Sequence, residues 1–329
     1  FAEGKMTGVF QLESRVAQST SRSLKPKRFE DIVALVALIR PGPLGAGMHN
    51  EFADRANNRK EIEYLHNDLE SILNETYGVI LYQEQVMQIA EKIAGFNLQE
   101  ADNLRVAMGK KIPKVMEEQR KKFTDGSVSN NYSEQFAIEL FDQIAYFAGY
   151  GFNKSHSVPY ALLAYQTAYL KANYPAEYIA ACLTAVKRDK DRTAIFLSEA
   201  RDLGVKVSTP DINLSSSDFT VNDNEILFGL SAVRNVGDIT AEKIVSEREN
   251  NGDFESIEDF LSRIDARSLN KRGVEALIQG GGLDKFGLTR KGMFDSAIDL
   301  IENAKELKAN KENNQVPLFE IKKPDLTTI

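Results

Sequence analysis

Gly149-Tyr150-Gly151-Phe152-Asn153-Lys154-Ser155-His156-Ser157 runs directly into Val158-Pro159-Tyr160-Ala161-Leu162-Leu163-Ala164-Tyr165, a turn followed by a helical pattern. Glycine lets a backbone approach a ligand because no Cβ intervenes. The helix that follows opens with N–H groups lacking intrahelical partners and with the positive end of its dipole. Lys154, Ser155 and His156 stand at that junction, so the residues read as an anion pocket, with phosphate the best fit. A capped helix start after an ordinary loop reads the same residues equally well, and the junction alone does not decide between them.

Working outward, residues up to about Leu203 read as successive helices. Glu30 and Asp31 open one, and Arg40-Pro41-Gly42-Pro43 breaks it. Tyr77 to Leu81 reads as a short extended piece, followed by a helix from Tyr82 to Ala94 that Gly95 stops in the left-handed conformation. Helices near 99–108 and 113–123 flank a Gly109-Lys110-Lys111 corner, and Ser133 caps another that runs to about Phe147. The pattern then predicts helices over 159–172, 175–186 and 192–203, with Gly204 ending the last. Val205-Lys206-Val207, Phe219-Thr220-Val221 and Ile226-Leu227-Phe228 read as a small β element with a turn at Asn222-Asp223-Asn224. Helices return from about Ile239, and Lys308 to Asn314 reads as a flexible linker.

Composition narrows the function classes. The net charge of −7 over 329 residues argues mildly against a dedicated nucleic-acid binder, yet the basic residues are clustered. One cluster is Arg22, Lys25, Lys27 and Arg28; another runs from Arg105 through Lys110, Lys111 and Lys114 to Lys122. A lone cysteine, Cys182, in an apolar run excludes a disulfide framework and suits a reducing cytoplasm. With three scattered histidines it also leaves no zinc spacing. No apolar run approaches the roughly 20 residues of a membrane span. A chain that opens on Phe1 reads as a piece of a longer polypeptide.

Asn235-Val236-Gly237-Asp238-Ile239-Thr240-Ala241-Glu242-Lys243-Ile244 has the shape of a helix-hairpin-helix element, whose hairpin N–H groups can hold a DNA phosphate without reading bases; a plain helical turn with a glycine is the alternative. A weaker second copy covers Leu269–Ile278 and Gly280-Gly281-Gly282-Leu283-Asp284. Asp189-Lys190-Asp191 is the best carboxylate pair for magnesium, but it sits at a helix start, where capping explains it. In the polar tail, Gln315-Val316-Pro317-Leu318-Phe319 carries apolar residues with no core to join.

These segments resemble, in order and over essentially the whole chain, the alpha subunit of bacterial DNA polymerase III, the C-family replicative polymerases. Gly8-Val9-Phe10-Gln11-Leu12-Glu13-Ser14 resembles that family's exit from the palm. Ala34 to Leu44 is similar to its buried helix and loop, and Tyr77 to Met87 and Gly149 to Ser157 to its fingers motifs. Tyr174-Pro175-Ala176-Glu177 and Pro210-Asp211-Ile212-Asn213 fit as well. The form Asn153-Lys154-Ser155-His156 resembles the general bacterial type rather than the Gram-positive one with a built-in proofreading domain.

The resemblance implies a mainly α fold: helical fingers over 1–205, a small β element with a helix-hairpin-helix domain over 206–300, and a flexible tail over 301–329. It implies that Arg105, Lys110, Lys111, Lys154, Ser155 and His156 face the triphosphate of an incoming dNTP. It implies that Asn235, Val236, Gly237, Ile239 and Thr240 hold primer-template DNA, and that Gln315, Leu318 and Phe319 anchor a sliding clamp. Where the family usually has two adjacent basic residues this chain has Arg105-Val106, which removes or replaces one phosphate contact. Mg2+ is the implied cofactor of the intact polymerase, its palm aspartates lying upstream of Phe1, so this stretch carries no catalytic or metal residue and does not extend a primer alone. Other replisome subunits would bind through absent parts. The implied location is cytoplasmic, with no membrane contact. A non-catalytic, stand-alone DNA-binding module is the alternative.

Overall fold

The computed structural model describes residues 1–110, 112–148, 150–265 and 268–312. The fold is mainly α, and the chain divides into two compact units, Phe1–Tyr169 and Leu170–Ile329. In chain order the helices before the sheet are α1 (Arg15–Leu24), α2 (Phe29–Leu38), α3 (Pro41–Gly45), α4 (Met48–Ala56), α5 (Glu70–Leu73) and α6 (Gln83–Ala94). They continue with α7 (Leu98–Lys110), α8 (Pro113–Ser129), α9 (Glu134–Ala148), α10 (Lys154–Asn173), α11 (Pro175–Val186) and α12 (Lys190–Asp202). After β1 (Lys206–Val207), β2 (Thr220–Asn222) and β3 (Glu225–Leu227) come α13 (Asp238–Asn251), α14 (Ile257–Arg263), α15 (Lys271–Gly280), α16 (Arg290–Asp295) and α17 (Ala297–Glu312).

The first unit has two cores. α2 is apolar on nearly every face and buries Ile32, Val33, Ala34, Leu35, Ala37 and Leu38, which makes it the centre of the first core. Asp31 is the one buried charge on this helix. It accepts the Lys27 and Arg28 N–H groups at 2.9 and 3.1 Å, the Arg28 guanidinium at 3.0 Å and the Tyr77 hydroxyl at 2.9 Å. The second core lies among α6 to α9, where Leu104, Phe123, Leu140 and Phe141 are closed from solvent. Gly126 of α8 touches the end of α6 so closely that a Cβ there would stand 2.2 Å from the Ala94 carbonyl oxygen. Gly95, at φ 68°, ends α6 as the sequence predicts.

The second unit packs a small sheet on α11 and α12 through Ile179, Leu183, Phe196, Phe219 and Ile226. The strand order is β1-β3-β2, with β1 parallel and β2 antiparallel to β3. Asp223 and Asn224, at φ 47° and 63°, make the tight turn between β2 and β3, the backbone twist that two-residue hairpins favour. Helices α13 to α17 close around Ile244, Phe260, Leu277 and Leu300.

Four local expectations are corrected. Pro41 does not merely break α2; it starts α3 at the first helical position, where its missing donor is harmless. Gly109 and Lys110 are not a corner but the last turn of α7. The helix expected from Pro159 begins at Lys154, because Asn153 caps it by accepting the His156 N–H at 2.8 Å, and Pro159 sits inside. Residues 301–312 are helical where the sequence suggested a tail, since Leu300 and Ala304 are buried and anchor α17.

Candidate nucleotide and nucleic-acid interfaces

In the first unit the start of α10 is built from distant pieces of chain. Tyr82 and Phe152 form an isolated parallel bridge: the Gln83 N–H donates to the Phe152 carbonyl at 2.9 Å, and the Phe152 N–H to the Leu81 carbonyl at 3.1 Å. That bridge sets α6 and α10 start to start. Arg40 joins them, donating to the Tyr150 carbonyl at 2.6 Å with its guanidinium 4.2 Å above the Phe152 ring. Burial holds the Arg40 pKa below its ordinary value.

Glu84 then accepts the Lys154 N–H with both carboxylate oxygens at 3.0 Å. The Lys154 ammonium lies 2.8 and 2.7 Å from the two Glu75 oxygens and 5.6 Å from the centre of the Tyr82 ring. Arg105 pairs with Asp102 at 2.8 Å and reaches the Gln83 side chain at 3.4 Å, while Gln83 donates to the Gly151 carbonyl at 3.3 Å. Arg105 is thereby tied to the turn that precedes Lys154. Ser155 and His156 are exposed, and the His156 ring lies 4.4 Å from Tyr160. Lys110 is exposed at the end of α7, and Lys111 lies outside the described residues.

The expectation of open N–H groups at this junction needs correction. The Lys154 N–H is held by Glu84, and those of His156 and Ser157 by Asn153. Lys154 and Arg105 are paired with Glu75 and Asp102, whereas Arg40 donates to the Ala37 and Tyr150 carbonyls. An oxyanion, the Glu84 carboxylate, already sits where a helix start favours one. Sequence reading passed over Glu75, Gln83 and Glu84; the last two lie in the Tyr77 to Met87 motif, which was the available signal.

In the second unit the hairpin before α13 turns at Asn235, which adopts φ 62°. Gly237 has φ −82° and ψ 167°, a conformation any residue can take, and apart from its two chain neighbours nothing lies within 4 Å of where its Cβ would be. Asn235, Gly237 and Ile239 face solvent, Ile239 with 72% exposure, whereas Val236 and Thr240 are buried. Thr240 donates to the Ser268 carbonyl at 2.6 Å, and Lys243 reaches the Ser268 hydroxyl at 2.6 Å, tying this element to the loop before α15. Within that loop Asn270 caps α15 by accepting the Gly273 N–H at 3.1 Å. Asp238, at the first position of α13, pairs with Lys187 and Arg188, and those cations hold its carboxyl below the usual range.

Asp189 caps α12 by accepting the N–H groups of Asp191 and Arg192 at 3.1 and 3.0 Å. Among the described residues no group of three His, Cys, Asp or Glu side chains is placed to hold a metal ion. None of their helices is long and apolar enough to cross a membrane. Gln315, Leu318 and Phe319 lie outside the described residues.

The hairpin that follows β3 and leads into α13 lies within residues 204–293, which match the helix-hairpin-helix motif. Residues 1–131 match the bacterial DNA polymerase III alpha subunit finger domain. The DNA polymerase III alpha subunit of Campylobacter jejuni is 43% identical over 320 residues, 96% of this chain and 27% of that protein. Its counterpart in Thermus aquaticus is 45% identical over 329 residues, covering 99% and 27%, and that of Mycobacterium tuberculosis 43% over 340, covering 98% and 29%. The chain belongs to the bacterial DNA polymerase III alpha-subunit family. It spans a little over a quarter of the length of the curated relatives it matches.

Proposed function

We propose that this chain is the DNA-holding and nucleotide-gripping portion of a replicative DNA polymerase. The observation that carries the reading is the hairpin at Gly237. The fold does not require glycine there, so the missing side chain serves something that approaches from outside. A phosphate of duplex DNA, held by backbone N–H groups at the start of α13, fits that opening. Asn235, Gly237 and Ile239 meet the DNA, while Val236 and Thr240 hold the hairpin from behind. Gly237→Val is expected to leave the melting temperature unchanged and to weaken duplex binding about tenfold, because its branches block the approach. Binding by the parent chain is expected to be indifferent to sequence and to fall steeply with salt. Fluorescence anisotropy on duplexes of differing sequence checks this, and a clear base preference or a flat salt response overturns it.

In the same reading, the triphosphate of a dNTP is met by Lys154, Ser155 and His156 at the start of α10, with Arg105, Lys110 and Lys111 contributing charge. Its support is that Arg105 is tied through Gln83 to the turn that precedes Lys154. The local charge balance favours a second reading, in which the α10 start is a structural clamp and the chain serves only to bind DNA. The carboxylates for Mg2+-dependent nucleotidyl transfer are assigned to parts of the polymerase outside this chain. Gln315, Leu318 and Phe319 are assigned to a hydrophobic pocket on the sliding clamp. Burying Phe319 contributes about 1.5–3 kcal/mol. The Leu318→Ala, Phe319→Ala pair is therefore expected to lower clamp affinity at least tenfold by calorimetry. Equal affinities would leave the segment as linker only.

A further inference from the structure

The second unit contains a cavity of about 840 Å³, bounded by α12, the strand β1 and α15. That volume is in the range of small-ligand sites. Its walls are largely apolar, with Val207 and the half-buried ring of Phe228 among them. Three arginines also line it: Arg201 from α12, Arg234 from the segment before the hairpin and Arg272 from α15. All three are exposed, and among the described residues none of them has a carboxylate partner. Elsewhere in this unit Arg263 and Arg290 hold carboxylates within the fold. The one carboxylate among the described lining residues, Glu275, lies 3.5 Å from Lys271.

An apolar chamber edged by guanidinium groups without partners calls for a ligand that is flat and apolar at one end and anionic at the other. Guanidinium is weakly hydrated and meets phosphate oxygens with paired donors. Aromatic and apolar walls accept a nucleobase of any identity by stacking. We infer that the cavity takes an unpaired nucleotide of single-stranded DNA, with its base on the Phe228 side and its flanking phosphates on Arg201, Arg234 and Arg272. Arg234 and Asn235 lead directly into Val236-Gly237, so a strand leaving the duplex at the hairpin meets the cavity next. The choice of nucleic acid over an acidic peptide rests on that hairpin reading. A free nucleotide presents the same chemistry as a residue of a strand, and competition separates the two.

The test measures anisotropy of a labelled oligothymidylate and of a blunt duplex on the full chain. Arg201→Ala with Arg272→Ala is expected to lower oligothymidylate affinity about tenfold or more while duplex affinity stays within about twofold. Two lost phosphate contacts also lower the log–log salt slope for the strand by about 1.4. If the alanine pair shifts the melting temperature, the Arg201→Lys, Arg272→Lys pair replaces it, with the same selectivity and a smaller loss. Unchanged strand affinity overturns the inference. So does an equal loss for strand and duplex, which would make the arginines part of a general DNA surface. Thymidine monophosphate competing as well as the strand would assign the cavity to a free nucleotide, and polyglutamate competing as well would assign it to an acidic peptide; either overturns the inference. Gly237→Val is expected to show the reverse selectivity. If it leaves duplex binding intact, the hairpin reading fails, while the cavity is still judged on the strand data.

Discussion

Lys154→Ala in the full-length polymerase is expected to lower kcat/KM for dNTP by roughly ten- to hundredfold and leave primer-template affinity unchanged. Losing one charge-assisted contact to a phosphate removes about 1.5–3 kcal/mol, which is that range of rate. The Glu75 carboxylate, 2.7 Å from the ammonium, sets the shape of the result. A triphosphate has to take the ammonium from Glu75, so Glu75→Gln is expected to lower KM for dNTP, the opposite direction from Lys154→Ala. If the pair is only a clamp between two parts of the fold, both substitutions lower stability and neither moves KM. Single-nucleotide incorporation kinetics beside a melting curve separate the two cases. A fall in primer-template affinity with intact nucleotide kinetics would overturn the triphosphate assignment.

Asp31→Ala is expected to destabilise the first unit by about 2–4 kcal/mol, the range for removing a buried carboxylate that several donors share. Its loss leaves two backbone N–H groups, the Tyr77 hydroxyl and the Arg28 guanidinium without their acceptor. Burial pushes the Asp31 pKa up, but the Lys27 N–H, the Tyr77 hydroxyl and the Arg28 donors outweigh it and hold the carboxyl below its ordinary value. A depressed folded pKa means that the stabilisation is complete above the unfolded value near about 3.9 and fades as pH falls through the folded one. Denaturant titrations should therefore show parent and variant converging in strong acid and separated at neutral pH. A gap that does not change with pH would rule out the ionised carboxylate as its source. The Tyr77 hydroxyl, pushed up to about 12 by burial and by Asp31, remains a donor throughout that window.

Features set by neighbours along the chain were legible before the structure. Gly95 ends α6, Pro175 opens α11, Asp189 caps α12, and Asn222-Asp223-Asn224 turns the hairpin between β2 and β3. Each is dictated by the backbone preference or side-chain reach of one residue. The α10 start was misread because Pro159 gives a strong boundary signal, and the capping carbonyl of Asn153 overrides it. Lys154 was visible as a cation beside a glycine turn, but its partners were not. Glu84 and Glu75 stand 70 and 79 residues away, and nothing local in the sequence records that they meet it. Gly237 was legible as a hairpin glycine for a reason that the fold changes: Asn235 carries the positive φ, so the turn is made before the glycine is reached.

The contact between Gly126 and the Ala94 carbonyl has a consequence for inheritance. Most crowded core positions can be repaired at a second site, because a neighbouring side chain can shrink to admit a larger one. Here the obstructing atom belongs to the main chain, and every amino acid supplies the same carbonyl oxygen. No exchange at residue 94 makes room, and none elsewhere does unless two helix axes move apart. A lineage that loses the glycine at 126 therefore has only reversion as an easy route back, which makes this unremarkable position in α8 less forgiving than the aromatic core beside it.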